Sequence, residues 1–239
     1  MAKKNTPKIS PDRFKPQAAA GTVRLIKVKF LLVCEGEATE PNYFYSFHRK
    51  AKNILCDVEP ISIKGKKQPD KIVEEAIRLK NTPKGKTYDR IWVVFDKDDA
   101  SDAKFNKAIQ DATKAGIAVA WTNEAFELWY VLHFQYRNTP MSREDYQKAI
   151  EAEINKEKKG RKKYKYEKND PNMHSLLEEH GCQETAIRNA EKLLELHPNN
   201  GCTSCAKSNP CTTVHKLVRE LNNDSPEISK IVKKKMGVK

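Results

Sequence analysis

The sequence has no apolar run approaching the ~18 residues that a bilayer-spanning helix needs, which excludes an α-helical membrane protein. Its first residues, Met1-Ala2-Lys3-Lys4-Asn5-Thr6-Pro7, are not followed by the apolar core of a secretory signal, so a cytoplasmic protein is expected. There, its 6 cysteines are more naturally thiols or metal ligands than disulfides. The pattern G-x-x-x-x-G-K-[ST] is missing, which argues against nucleotide hydrolysis by this chain. No internal repeat is evident. Acidic charge is scarce too: 32 Asp and Glu face 45 Lys and Arg, for a net charge of +13. The 239 residues leave room for one large domain or two small ones.

Against that shortage, two acidic clusters stand out, each closing an apolar run. The first is Phe30-Leu31-Leu32-Val33-Cys34-Glu35-Gly36-Glu37 and the second Ile91-Trp92-Val93-Val94-Phe95-Asp96-Lys97-Asp98-Asp99. Both read as buried parallel strands that deliver carboxylates at their C-terminal ends, the edge where open α/β sheets bind ligands. Side chains alternate along a strand, so an Asp-x-Asp puts Asp96 and Asp98 on the same side. With Glu35 from a neighbouring strand they can share a hard cation such as Mg²⁺. The alternative is that these acids cap helix N-termini, where negative charge is favoured.

The chain reads as β-α-β-α-β-α-β-α in its first half. Strands are expected over residues 27–33, 58–63, 90–95 and 117–121. Helices are expected from Thr39, a candidate cap, to about Ala51, from Pro69 to about Lys80, and over 102–115 and 126–134. That order argues for a mostly parallel central sheet flanked by helices. Residues 1–22 read as a disordered basic arm and 23–136 as the α/β domain. Residues 137–239 read as a mainly helical region with helices over 142–158, 171–180, 184–196 and 213–222, packed on the first half or forming a small lobe. In the 126–134 helix, Glu124 and Glu127 would share a face, and a carboxylate in so apolar a run needs a partner or a metal. His133 reads as a core histidine, and Cys34 and Cys56 as small core residues.

Basic charge gathers at Lys64, Lys66 and Lys67, again from Lys156 to Lys168 (with Arg161, Lys162, Lys163 and Lys165), and at Lys233-Lys234-Lys235. Tyr164 and Tyr166 are interleaved with the second group. A polyanion is the natural partner, with the tyrosines available for base stacking; a solvated loop is the alternative. Cys202, Cys205, Cys211 and His215 supply four soft ligands of the kind that hold structural zinc, at a spacing that is not a common one. Otherwise these thiols are incidental.

The two acidic clusters resemble the Toprim domain, shared by topoisomerases, primases and several nucleases. More closely, Cys34-Glu35-Gly36-Glu37-Ala38-Thr39-Glu40-Pro41-Asn42-Tyr43-Phe44 is similar to the opening signature of the RloB family. Asn123-Glu124-Ala125-Phe126-Glu127-Leu128-Trp129 with His133-Phe134 resembles a second block, and Asn209-Pro210-Cys211-Thr212-Thr213-Val214-His215 a third, in which Ser would be expected at Cys211. The resemblance implies a Toprim-like fold, a phage-defence protein often encoded beside an ATPase partner, and a Mg²⁺- or Mn²⁺-dependent nuclease acting on RNA, tRNA among them, or DNA. It makes Glu35 the motif-one glutamate and Asp96 and Asp98 the metal-binding pair. Glu127, a carboxylate in an apolar run, is expected to join the catalytic site, the alternative being a structural bond to a Lys, an Arg or a backbone N–H. The alternative is a non-catalytic nucleic-acid-binding or adaptor subunit.

Overall fold

The structure is a computed structural model that describes residues 25–51, 53–63, 65, 68–156, 163–197 and 205–237. The expected basic arm, Lys64, Lys66, Lys67, Arg161, Lys162 and Cys202 lie outside the described residues.

The four apolar runs form β1 (Ile26–Cys34), β3 (Ile54–Ser62), β4 (Arg90–Asp96) and β5 (Ala118–Asn123), all mutually parallel. Two short antiparallel strands, β2 (Arg49–Ala51) and β6 (Cys211–Thr212), close the edges and give the order β2-β3-β1-β4-β5-β6. The first and second acidic clusters therefore end on adjacent strands, β1 and β4, as their sequence implied.

The sheet is buried on both faces, which is why its strands read as continuous apolar runs rather than alternating ones. Val28, Phe30, Leu32 and Cys34 of β1 share one face with Trp92 and Val94 of β4. Leu31 and Val33 share the other with Ile91, Val93 and Phe95. On that second face lie α2 (Pro69–Lys80), through Ile72, Val73 and Ala76, and α3 (Asp102–Lys114), through Phe105, Ala108, Ile109 and Ala112. The first face is covered by α1 (Thr39–Tyr45) and α4 (Glu127–Val131), and by the helices of the C-terminal half: α5 (Arg143–Asn155), α6 (Met173–His180), α7 (Gln183–Glu195), α8 (Val214–Leu221) and α9 (Pro226–Met236). Leu217, Val218 and Leu221 of α8 sit in one core with Val28 and Phe30, so the C-terminal half is packed on the sheet rather than set apart as a lobe.

Several elements differ from the sequence reading. The helix expected to run to Ala51 stops at Tyr45, and the chain returns as β2 to pair with the otherwise open edge of β3. Thr39 does not cap α1; its hydroxyl donates to the Lys168 carbonyl at 2.9 Å and pins the helix to the segment that follows the basic loop. The apolar run 126–134 is helical only over α4, because both its flanks turn. Glu124 consequently precedes the helix and shares no face with Glu127. Strands β2 and β6 and helix α9 were not anticipated.

Candidate functional site

The carboxyl ends of β1 and β4, the turns that follow them, α4 and the start of α5 enclose a cavity of about 590 Å³. Seven acids line it: Glu35, Glu37, Glu40, Asp96, Asp98, Asp99 and Glu127. The cations on its wall are Lys97, Arg143 and Lys168. All four sequence-predicted carboxylates, Glu35, Asp96, Asp98 and Glu127, thus reach one space.

Each is held by a local cause. The Glu35 N–H continues the β1–β4 ladder by donating to the Val94 carbonyl (2.9 Å), and Glu35 Oε2 in turn accepts from the Asp96 N–H (3.0 Å). Asp96 Oδ2 accepts from the Phe126 N–H at 2.9 Å, whereas Asp96 Oδ1 is buried and has no hydrogen-bond partner. Asp98 sits in the turn after β4 with φ of 33°, its N–H donating to the Glu124 carbonyl (3.2 Å). A non-glycine residue in that left-handed region costs about 1–2 kcal/mol, and such strain persists mainly where function requires it. Glu127, 2% exposed, opens α4; its Oε1 accepts from the Tyr166 hydroxyl at 3.1 Å and lies 3.4 Å from Gln147 Nε2.

Glu40 was quoted in the sequence motif without a role, and it proves central. It occupies the first turn of α1 and is 4% exposed, with Oε2 buried and unpartnered. Its carboxylate rests on Gly36, where a Cβ would come within 1.8 Å of Glu40 Oε2. Gly36 is therefore the residue that lets this acid fold back beneath the turn.

Packing so many acids together raises their pKa values. Burial, then repulsion from Glu40 and Asp98, pushes Glu35 up from 4.5 to about 7, against the opposing Asp96 N–H and Arg143. Burial and the Glu127 charge raise Glu40 to about 7 as well, although the Glu40 and Gly36 amides favour its ionised form. Asp96 is raised well above its ordinary 3.8 by burial and by Glu40, Glu35 and Glu127. These are the signs of a site short of positive charge.

The donor set is all oxygen, which suits Mg²⁺ or Mn²⁺, and the two orphaned buried oxygens, Glu40 Oε2 and Asp96 Oδ1, belong to residues that line the same cavity. The residues present therefore fit a hard divalent cation. Among the described residues, no three His, Cys, Asp or Glu side chains are already drawn together as a metal-holding group. The cation found among these carboxylates is instead Arg143, with a guanidinium nitrogen 3.2 Å from Asp98 Oδ2 and Nε 4.0 Å from Glu127 Oε2.

The remaining sequence-predicted residues are scattered. Lys163 and Lys165 are exposed, and Tyr164 is half-buried with its hydroxyl 3.1 Å from Asp170 Oδ2. Tyr166 is buried with its hydroxyl donating to Glu127, so it braces an acid of the site rather than offering a base-stacking platform. Of the soft-ligand set, Cys205, Cys211 and His215 are buried, the last with Nδ1 unpartnered. Burial and the neighbouring Cys205 push Cys211 up to about 12, and burial with Lys216 pushes His215 down to about 4. Among the described residues these three are not drawn together as a group that could hold a metal, and the fourth member of the set, Cys202, lies outside them. His133 lies in the core with Nδ1 2.9 Å from the Trp129 carbonyl. Glu40 carried a signal in being the acid at the start of the helix after an acid-ended strand. Arg143, the other residue that sequence reasoning missed, gave none, because it lies 45 positions beyond Asp98 in a plain charged helix.

The fold and the cavity define an α/β protein with a carboxylate-rich cleft at the carboxyl edge of a mostly parallel sheet. The chain belongs to the RloB-like protein family, whose sequence model matches residues 30–221. That span runs from within β1 to the end of α8 and contains every cavity-lining residue. No curated protein and no solved structure matches the chain.

Proposed function

We propose that this chain is a Mg²⁺- or Mn²⁺-dependent nuclease of Toprim type that cleaves phosphodiester bonds of RNA or DNA. The observation that carries the reading is one cavity bordered by Glu35, Asp96, Asp98, Glu40 and Glu127, five carboxylates gathered at the carboxyl edge of the sheet. Gln68, just after Lys64, Lys66 and Lys67, lines it, and so does Lys168, at the end of the second stretch. Glu35, Asp96 and Asp98 would hold the cation, with Glu40 and Glu127 supporting it. When bound, such a cation polarises a phosphoryl oxygen, lowers the pKa of an attacking water and steadies the leaving oxygen. The basic stretches draw the sugar–phosphate backbone to the cleft through sequence-independent phosphate contacts. Tyr166 and Gln147 keep Glu127 oriented toward the cavity.

The test is incubation of purified protein with RNA and DNA substrates, a tRNA pool included, with Mg²⁺, Mn²⁺ or EDTA. Cleavage should require the metal and fall at least ~100-fold in Asp96→Asn and Asp98→Asn, a scale typical of losing transition-state charge stabilisation. Metal-independent cleavage, or cleavage unchanged in both variants, contradicts the reading. The resemblance to the RloB family supports a role in antiviral defence beside an ATPase. Co-expression with an ATPase encoded next to the gene should then yield a complex and change its cleavage activity.

A further inference from the structure

We infer that Arg143 is the phosphate-binding group of the cleft: it neutralises Asp98 and Glu127 while no divalent cation is bound, and it turns to a phosphodiester oxygen of nucleic acid once a cation is held. The inference deepens the cation-site reading above and rests on it.

Charge comes first. A cavity with seven acids and three cations cannot accept a phosphodiester anion unless positive charge faces that anion. Lys97 is already engaged, its Nζ donating to the Ala100 carbonyl at 2.5 Å and lying 3.3 Å from Asp102. Lys168 is exposed at the mouth. Arg143, with a side chain 29% exposed, is the remaining cation of the wall.

Its present contacts are weak enough to exchange. The ion pair to Asp98 is 3.2 Å long on a partner that is 42% exposed, and the approach to Glu127 is 4.0 Å, beyond hydrogen-bond range. Arg143 Nε is buried without a hydrogen-bond partner, an unsatisfied charged donor beside the cavity. Leaving a charged donor unpaired is unfavourable, and a phosphate oxygen would supply the missing partner. The planar guanidinium fork also matches two phosphate oxygens at once, which a lysine cannot do.

The backbone beneath it is fixed. Ser142 caps α5 by accepting from the Asp145 N–H (3.2 Å), and Tyr146 and Ile150, both fully buried, lock the helix into the core. Only the side chain has to move. Glu127 keeps its Tyr166 and Gln147 donors when Arg143 leaves.

The experiment separates cation binding from phosphate binding without turnover. Mn²⁺ alone is titrated calorimetrically into wild type, Arg143→Ala, Arg143→Lys and Asp96→Asn. Fluorescein-labelled oligo(dT) and oligo(U) are titrated into each with Ca²⁺ and with EDTA. Arg143→Ala should bind Mn²⁺ as tightly as wild type or more tightly, because a competing cation is gone. It should lose at least ~tenfold of the Ca²⁺-dependent oligonucleotide affinity, the scale of one charge-assisted phosphate contact. Arg143→Lys, which keeps the charge and little of the geometry, should fall between the two. Arg143→Ala that weakens Mn²⁺ binding as Asp96→Asn does, or that keeps the full Ca²⁺-dependent gain, overturns the proposal and leaves Arg143 a structural latch. Absence of Mn²⁺ binding by wild type overturns it as well. Binding in wild type without cleavage sinks only the nuclease reading.

Discussion

At the scale of single residues, the cleft is built by Gly36 and Glu40 together. Gly36 has no Cβ, so the Glu40 carboxylate can lie over it in a space where a methyl group would come within 1.8 Å. In Gly36→Ala the clash falls on the end of a flexible side chain. The fold should therefore survive with a stability change of about 1 kcal/mol or less, while the displaced Glu40 weakens Mn²⁺ binding several-fold. Chemical denaturation and calorimetry on the same sample check both halves. Glu40→Gln goes the other way for the metal-free protein. It removes a buried charge that burial and Glu127 oppose, so at pH 8 in EDTA the variant should be about 3 kcal/mol more stable than wild type, judged from the upward shift of Glu40 from 4.5 to about 7. A variant less stable than wild type would show that Glu40 is a structural acid. Gain of stability with loss of function is the expected signature of a strained, charge-crowded site.

At the scale of elements, β1 and β4 position the site and α8 holds the sheet to the C-terminal half. The connection includes a buried ion pair: Glu220 of α8 accepts from Arg90 Nε at 2.7 Å and from Trp92 Nε1 at 3.0 Å. Glu220→Ala leaves Arg90 and the indole N–H without their partner and should cost about 3 kcal/mol, as expected for breaking one side of a buried pair. Urea unfolding measures it, and a loss below 1 kcal/mol would mean that water replaces the carboxylate.

The elements also explain what could be read in advance. β1 and β4 were legible because continuous apolar runs ending in acids report both burial and polarity at once. Arg90–Asp96 and Pro69–Lys80 carry their periodicity locally, and so they were found close to their true bounds. β2 and β6, three and two residues long, exist only because the adjoining β3 and the distant β5 offer them free edges. Glu40, in turn, is buried only because α1 folds back over Gly36. Arg143 reaches the cleft only because α5 packs there. Tyr166 looked like a base-stacking residue, since composition cannot tell a tyrosine that faces solvent from one that faces Glu127. Such facts lie in tertiary packing, and a single sequence does not display them.

At the scale of the whole molecule, a chain of net charge +13 concentrates seven acids in one cleft beside three cations. The folded values of Glu35 and Glu40, about 7, exceed their ordinary 4.5, so between those values the folded protein binds more protons than the unfolded chain. Their contribution to stability is complete below about pH 4.5 and is lost as pH rises through about 7. The metal-free protein should accordingly lose melting temperature across that window, and the gain on adding Mn²⁺ should grow across it as protons cease to compete. Melting curves in EDTA and in Mn²⁺ at stepped pH test this, and a metal-free stability that rises from pH 5 to 7 would contradict it. Among the described residues, no helix is long and apolar enough to cross a membrane.

The central claim is that the carboxylates at the ends of β1 and β4 form a divalent-cation site. Calorimetric titration of Mn²⁺ near neutral pH into wild type and Asp96→Asn tests it most directly. The account predicts saturable binding with proton release in wild type and its loss in Asp96→Asn. Equal binding by the two proteins would contradict it.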